Sequence, residues 1–321
     1  MTAKELILQQ LRKNKDSYLS GSKLSSLLGM TRAAIWKHVT AMRKEGFSIE
    51  AKNKAGYKLI AEPRLLDIHL LDKHNIIYLN EADSTNIVAG KLPYNPNDRF
   101  RVVAAEKQTH GRGRMGKAWS SQPGCGLWFS ILYHPLNMSP TDAIPITLAT
   151  AAVLAGELRS ITGISSIELK WPNDLLIKDK KFGGILTELK GEAEKVSSII
   201  VGIGLNINHQ KFEFPADIRE IATSLFIESS FCYNRTEMLI ALTNSLKSAY
   251  ADFNENGFSL YRNRWKSFSS TLGKEVIVTQ VDGKLQGQAV DITGEGMLIL
   301  EDLKGNKHNI RQGEVAVLAE D

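Results

Sequence analysis

The positive charge of this chain is crowded into its first sixth, and that segregation constrains its architecture more than any other feature. Residues 1–62 hold nine Lys and three Arg against one Asp and four Glu, a net of +7. The whole chain of 321 residues carries only +5, so the remainder sums to −2. A basic segment on a near-neutral remainder is the footprint of a nucleic-acid-binding module attached to a larger protein. A solvated lysine-rich face gives the same count, so the charge needs a structural pattern to interpret it.

The pattern is a helix-turn-helix. Leu6, Ile7 and Leu11, with polar residues between, give a first amphipathic helix. Ser20-Gly-Ser22 opens a second, striped by Leu24, Leu27 and Leu28 and stopped at the tight turn of Gly29. Thr31 caps a third, Arg32 to Glu45, which Gly46 ends. Ala33, Ala34, Ile35, Val39 and Met42 supply its packing face, leaving Arg32, Trp36, Lys37, Arg43 and Lys44 mostly outward. Phe47 to Leu59 then alternates apolar and polar residues around a Lys-Asn-Lys-Ala-Gly tip, the signature of a β-hairpin. A basic hairpin directly after a basic helix makes a winged helix, with Lys52, Lys54 and Lys58 reaching phosphates. Winged helices also dock on proteins, but the basic helix and basic wing together favour DNA. The candidate contacts are Ser22, Thr31, Arg32, Ala33, Trp36, Lys37, His38, Lys52 and Lys54. Glu62-Pro63-Arg64 breaks the pattern and reads as a linker.

Beyond the linker, strands and helices mix. Strands are predicted at 76–79, 101–106, 126–133, 167–170, 174–178, 184–189 and 196–206, and helices near 84–91, 141–162 and 235–255. Hairpin spacing and blocked helices predict an α+β fold rather than a doubly wound parallel sheet. The last fifty or so residues hold short strands at 275–279, 285–291, 297–301 and 315–319 with glycine-rich turns, suggesting a small SH3-like barrel. The predicted division is a winged helix at 1–62, a central mixed α/β domain at 63–270 and the SH3-like domain at 271–321. Hydrophobic residues at 43% and charged residues at 23% suit a globular protein. No uninterrupted apolar run approaches the roughly 18 residues of a membrane span, and the charged N-terminus does not read as a signal peptide. Cys125 and Cys232 stand alone, giving neither a disulfide framework nor a zinc site. The expectation is a cytoplasmic protein without a membrane partner or a protein-built metal centre.

Gly111-Arg-Gly-Arg-Met-Gly116 formally matches the dinucleotide-binding glycine pattern, but its context excludes that reading. The following Lys-Ala-Trp-Ser-Ser-Gln-Pro-Gly cannot open a helix, and no acidic residue occurs before Asp142. What remains is a pliable loop with two forked cations, suited to an anionic small molecule or simply a basic surface loop. Lys170-Trp-Pro-Asn-Asp174 ends a strand in a turn whose amide and carboxylate could meet a base and a metal ion, though such turns are also ordinary. Lys181 precedes two glycines and a strand, and Gly202-Ile-Gly-Leu-Asn206 ends an apolar strand where a ligand can approach the backbone. His110 is either a base or a hydrogen-bonded surface imidazole. No nucleophilic triad or carboxylate pair is legible, so the inventory favours anion handling and positioning over covalent catalysis.

Taken together, Asp83-Ser-Thr-Asn86, Glu106-Lys-Gln-Thr109, the glycine–arginine loop, Trp119-Ser, Lys170-Trp-Pro-Asn-Asp174, Lys181-Phe-Gly-Gly-Ile-Leu186 and Gly202-Ile-Gly-Leu-Asn-Ile-Asn208 resemble the biotin–protein ligases. Gly29 to His38 looks like the recognition segment of the bifunctional members, which also repress the biotin operon. The resemblance implies biotin–[acetyl-CoA-carboxylase] ligase activity: biotin, ATP and Mg²⁺ give biotinyl-5′-AMP, and a lysine of the biotin carboxyl carrier protein then displaces AMP. It implies biotin or adenylate contacts at Ser84, Thr85, Asn86, Gln108, Arg112, Gly113, Arg114 and Lys181, with Lys181, Arg112 and Arg114 catalytic. Trp119, Lys170, Asn173, Asp174 and Asn206 fall near the nucleotide. Operator DNA becomes a partner, bound by a homodimer of the adenylate-bound protein. Met115 stands where relatives often carry a basic residue. A lipoate-type ligase and a non-catalytic biotin-sensing transcription factor are the alternatives.

Overall fold

The computed structural model describes residues 2–44, 47–52, 55–61, 65–192 and 194–318. The chain forms two compact units, Met1–Leu66 and Asp67–Asp321. Lys54, the end of the third helix at Glu45–Gly46 and the linker at 62–64 lie outside the described residues.

The first unit is three helices and a hairpin. Helix α1 (Ala3–Lys13) starts at a Thr2 capping box, in which Thr2 and Glu5 satisfy each other's backbone amides. Helix α2 (Gly21–Leu28) is capped by Ser20 and ends at Gly29, whose φ of 64° is the left-handed geometry a glycine adopts without strain. Helix α3 (Arg32–Lys44) follows, with the Ala34 amide donating to Thr31 Oγ1. Strands β1 (Ser48–Lys52) and β2 (Gly56–Ala61) pair antiparallel. Leu8, Leu11, Leu24, Ile35, Val39, Met42, Ile49 and Leu59 meet in one core.

The second unit is built on a seven-stranded sheet. After α4 (Ile68–Lys73) come β3 (Ile76–Ala82), α5 (Thr85–Ala89), β4 (Phe100–Gln108) and β5 (Gly126–Tyr133). Then follow α6 (Pro140–Ala143), α7 (Ile146–Thr162), β6 (Ile167–Lys170), β7 (Asp174–Ile177), β8 (Lys180–Gly191) and β9 (Val196–Asn206). The sheet order is β3-β4-β5-β9-β8-β7-β6, and only β3–β4 is parallel. Every residue of β5 is buried: β4 and β9 flank it in the sheet, and α5 and α9 pack against it. Helices α8 (Leu225–Ser229), α9 (Arg235–Asn256) and α10 (Ser259–Ser267) complete this layer, with α9 and α10 packed on α7.

The single helix expected over 141–162 is instead two helices, because Pro145 lacks the amide that would continue the first. Pro140–Thr162 is long and apolar enough to cross a membrane by length and composition, although polar residues interrupt its apolar run. Its middle is core: Ile146, Ala149, Val153, Leu154 and Leu158 are buried.

The chain ends in a five-stranded antiparallel sheet: β10 (Glu275–Gln280), β11 (Gly283–Ile292), β12 (Leu298–Asp302), β13 (Lys307–Ile310) and β14 (Glu314–Val317), in the order β13-β12-β11-β10-β14. Strand β13 was not expected from the sequence, since Lys-His-Asn-Ile buries only Ile310.

Candidate active site

One cavity of about 410 Å³ brings together the end of β4, the glycine–arginine loop, the β6–β7 turn and the facing ends of β8 and β9. Ser84, Thr85, Asn86, Gln108, Arg112, Gly113, Arg114, Trp119, Lys170, Asn173, Asp174, Lys181 and Asn206 all line it. The volume is that of a small-molecule site.

The buried end of the cavity is a hydrogen-bonding chain of neutral side chains that ends on one carboxylate, Glu188. Ser84, Thr85 and Asn86 are almost fully buried at the start of α5. The Thr85 amide and hydroxyl both donate to Gln108 Oε1, at 2.8 and 3.1 Å, and Gln108 Nε2 donates to Ser121 Oγ at 2.8 Å. Ser130 Oγ lies 2.6 Å from both Thr85 Oγ1 and Asn86 Oδ1, so its one proton serves two acceptors. Asn86 Nδ2 donates to Glu188 Oε2 at 2.7 Å. Such a chain fixes side chains that read a neutral polar group.

The other end is cationic. Lys181 Nζ lies 2.5 Å from Asp174 Oδ1 and 5.5 Å from the Trp119 ring centroid. Lys181 belongs to the start of β8 rather than to a free turn: its amide donates to Ile221 O, and its carbonyl accepts from the Thr223 amide. Arg114 Nη1 donates to Asn173 Oδ1 at 3.1 Å and to Gly313 O at 3.4 Å. Burial lowers the Arg114 pKa, while Asp174 and Glu314 pull it back up. Arg112 approaches Glu188 at 3.9 Å.

The close backbone approach at Gly202 and Gly204 is used by the protein's own side chains. A Cβ on Gly204 would lie 2.5 Å from the Trp119 indole, and one on Gly202 would lie 2.2 Å from Asn86 Oδ1. Trp119 Nε1 is buried in that position without a hydrogen-bond partner. His110 is exposed and hydrogen-bonded to Asp83, and it does not line the cavity. Met115 is 68% exposed and also lies outside it.

In the first unit, Thr31 and the α3 residues Arg32, Ala33, Trp36 and Lys37 are exposed, with His38 half-buried; Ala33, expected on the packing face, lies instead opposite the buried stripe of Ile35, Val39 and Met42. Ser22 is exposed near the start of α2, within 3.0 Å of the capping Ser20 hydroxyl. Lys52 is exposed on β1, and Lys52 and Lys58 each place Nζ 5.9 Å from the Tyr18 ring.

Residues 78–206 match the biotin/lipoate A/B protein ligase family, 4–58 a helix-turn-helix domain, and 271–318 the biotin protein ligase C-terminal domain. The chain is 34% identical to the bifunctional ligase/repressor BirA of Bacillus spizizenii, over 95% of this chain and 96% of that protein. This chain belongs to the BirA family of bifunctional ligase/repressors. The Escherichia coli BirA is 30% identical over 88% of each chain. A biotin protein ligase from Aquifex aeolicus, solved with biotin and ATP, superposes with a TM-score of 0.65 at 30% identity, over 77% of this chain and 99% of that one.

This BirA-family chain completes its cavity with residues that sequence patterns did not select. Gly313, Glu314 and Val315 reach it from the C-terminal sheet, and Lys117 Nζ lies 2.5 Å from Glu314 Oε1. His209, Phe214, Ile218, Ile221 and Ala222 form a further wall. His209 is 3% exposed, stacks on Phe214 with centroids 4.9 Å apart, and has a buried, unpartnered Nδ1. The amide-rich end of β9 was the only sequence signal near this wall.

Proposed function

We propose that this protein activates biotin with ATP, transfers it to a lysine of a biotin carboxyl carrier protein, and represses biotin genes in its adenylate-bound form. The observation that carries the enzymatic reading is the polarity of the cavity. A buried neutral chain at Thr85, Asn86 and Gln108 suits the ureido head of biotin, and the Lys181–Arg114–Arg112 end suits a carboxylate meeting a phosphate. Its kinship with a ligase that binds both biotin and ATP supports the same assignment.

In the first step a biotin carboxylate oxygen bonds to the ATP α-phosphorus, and the bond to the β-phosphate oxygen breaks to release pyrophosphate. Lys181, with Arg112 and Arg114 as its catalytic companions, offsets the charge gathering on those oxygens. Gly113 lets the loop close over the mixed anhydride and exclude water. Trp119, Lys170, Asn173, Asp174 and Asn206 hold the nucleotide. In the second step the carrier lysine amine bonds to the anhydride carbonyl carbon, AMP leaves, and the amine loses a proton. Asp174 would be the residue to hold Mg²⁺, since Mg²⁺ usually takes one or two carboxylates plus substrate phosphates. The ion would neutralise phosphate charge there. No cluster of three His, Cys, Asp or Glu able to hold a metal is present among the described residues.

The labour divides along the chain. Residues 1–62 bind operator DNA, 63–270 hold the chemistry, and 271–321 close the cavity. The protein works in the cytoplasm, and the adenylate promotes the homodimer that binds two half-sites. Purified protein given biotin, ATP and Mg²⁺ should release pyrophosphate and then add one biotin to an apo carrier domain, with lipoate failing to substitute. Failure to form biotinyl-adenylate would refute the ligase reading. A gel shift on DNA upstream of biotin-synthesis genes, with and without biotin plus ATP, checks the repressor reading. Ligand-independent binding would refute the switch.

A further inference from the structure

The outward face of α3 carries a reading code that its own residue types restrict. The helix runs Arg-Ala-Ala-Ile-Trp-Lys-His-Val-Thr-Ala-Met-Arg-Lys and contains no Asn, Gln, Asp or Glu. In the major groove, adenine is read bidentately by Asn or Gln, and the cytosine amine by a carboxylate. Helix α3 supplies neither. Its buried stripe of Ile35, Val39 and Met42 turns into the domain core. Ala33, Trp36 and Lys37 share the other side, spaced i, i+3 and i+4, and all are exposed. Trp36 leaves 60% of its surface in water. Most of the indole is therefore not used by the core.

Lysine and arginine read guanine. His38 and Thr40, the other hydrogen-bonding side chains of this helix, are partly buried, so the exposed Ala33 and Trp36 face the thymine 5-methyl of an A·T pair, an apolar group displayed in the major groove and met by apolar side chains. We infer that Ala33 and Trp36 form an apolar reader of thymine methyl groups, so that the protein recognises A·T pairs through their thymine edge. The net +7 of residues 1–62 makes a polyanionic duplex the occupant of this face, with Lys52 and Lys58 on the hairpin available to its phosphates. The inference rests on the repressor reading above and names the feature of DNA that reading requires.

The test uses the full chain with biotin, ATP and Mg²⁺ to enrich duplexes from a random-sequence library at fixed salt. The enriched duplex is resynthesised with deoxyuridine replacing each thymidine in turn, which removes only the methyl group. At about one or two positions per half-site, affinity should fall roughly fivefold or more, with no change elsewhere. Trp36→Ala should bind the thymine duplex as weakly as the wild type binds the uracil duplex, and should lose nothing further when uracil is introduced. Equal wild-type binding of thymine and uracil duplexes at every position overturns the methyl reader while leaving DNA binding intact. Enrichment of no duplex overturns both the inference and the repressor reading, and points α3 to a protein partner.

Discussion

Lys117 and Glu314 join the glycine–arginine loop to the C-terminal sheet through an ion pair of 2.5 Å. The hydrogen bond from Lys117 holds the Glu314 pKa below its usual value. The pair is substantially exposed, 67% and 47% at the two side chains, so its contribution is that of a surface bridge, at most about 1 kcal/mol. Glu314→Gln should therefore leave folding nearly unchanged and loosen the loop. Preformed biotinyl-adenylate should escape about two- to fivefold faster, as read by a chase with excess unlabelled biotin. Escape at the wild-type rate would show that the bridge does not hold the loop.

Lys181 carries more weight, because it sits within 2.5 Å of Asp174 inside the cavity. Removing one preorganised cation from a site of developing charge costs about 100- to 1000-fold in rate. Lys181→Ala should lose pyrophosphate release on that scale, while biotin binding at the neutral Thr85–Gln108 end falls far less. Single-turnover adenylation and equilibrium biotin binding, measured on one preparation, separate the two. Near-normal adenylation would remove Lys181 from the chemistry.

The sequence disclosed this site unevenly, for physical reasons. Arg112, Arg114, Lys170, Asn173, Asp174 and Lys181 stand in short runs of unusual composition, dense in glycine, proline and charge, where ordinary strand or helix chemistry does not belong. Strands β5, β6 and β9 were legible to the residue because their apolar runs are bounded by Gly126, Lys170 and Asn206. The wall from His209 to Ala222 and the Gly313–Val315 edge were not legible. Their residues are ordinary in local pattern and become part of the cavity only through contacts distant in sequence. Arg114 reaching Gly313 spans 199 positions that no local periodicity encodes. The short helices α4, α8 and α10 were missed because most of their stability comes from packing rather than from pattern.

Arg235 is a long-range determinant of the same kind. It opens α9 fully buried, pairs with Glu106 at 2.6 Å, and donates to Gly126 O at 2.5 Å. Glu106 Oε1 also accepts the Gly124 amide at 2.7 Å, so the pair clamps the turn that leads into β5. Breaking one partner of a buried ion pair leaves the other charge uncompensated, at about 3–5 kcal/mol. Arg235→Met should lower the urea midpoint accordingly, and adding Glu106→Gln should recover part of the loss. A double variant as unstable as the sum of the singles would show that the two side chains do not act as a pair.

His209 sets a pH dependence whose sign follows from its burial. Desolvation first, and Arg235 second, lower its pKa from 6.5 to about 4. The unfolded chain therefore binds one more proton than the folded protein between those values. Stability is fully present above about pH 6.5 and is lost as pH falls toward 4. A shift of that size corresponds to roughly 3 kcal/mol across the window. His209→Asn removes the titrating group while keeping a polar side chain beside Phe214. The difference in unfolding free energy between wild type and variant should shift in favour of the variant by about 2 kcal/mol, most of that amount, from pH 7 to pH 4.5. A pH-independent difference would show that His209 takes up its proton equally well in the folded and unfolded chains.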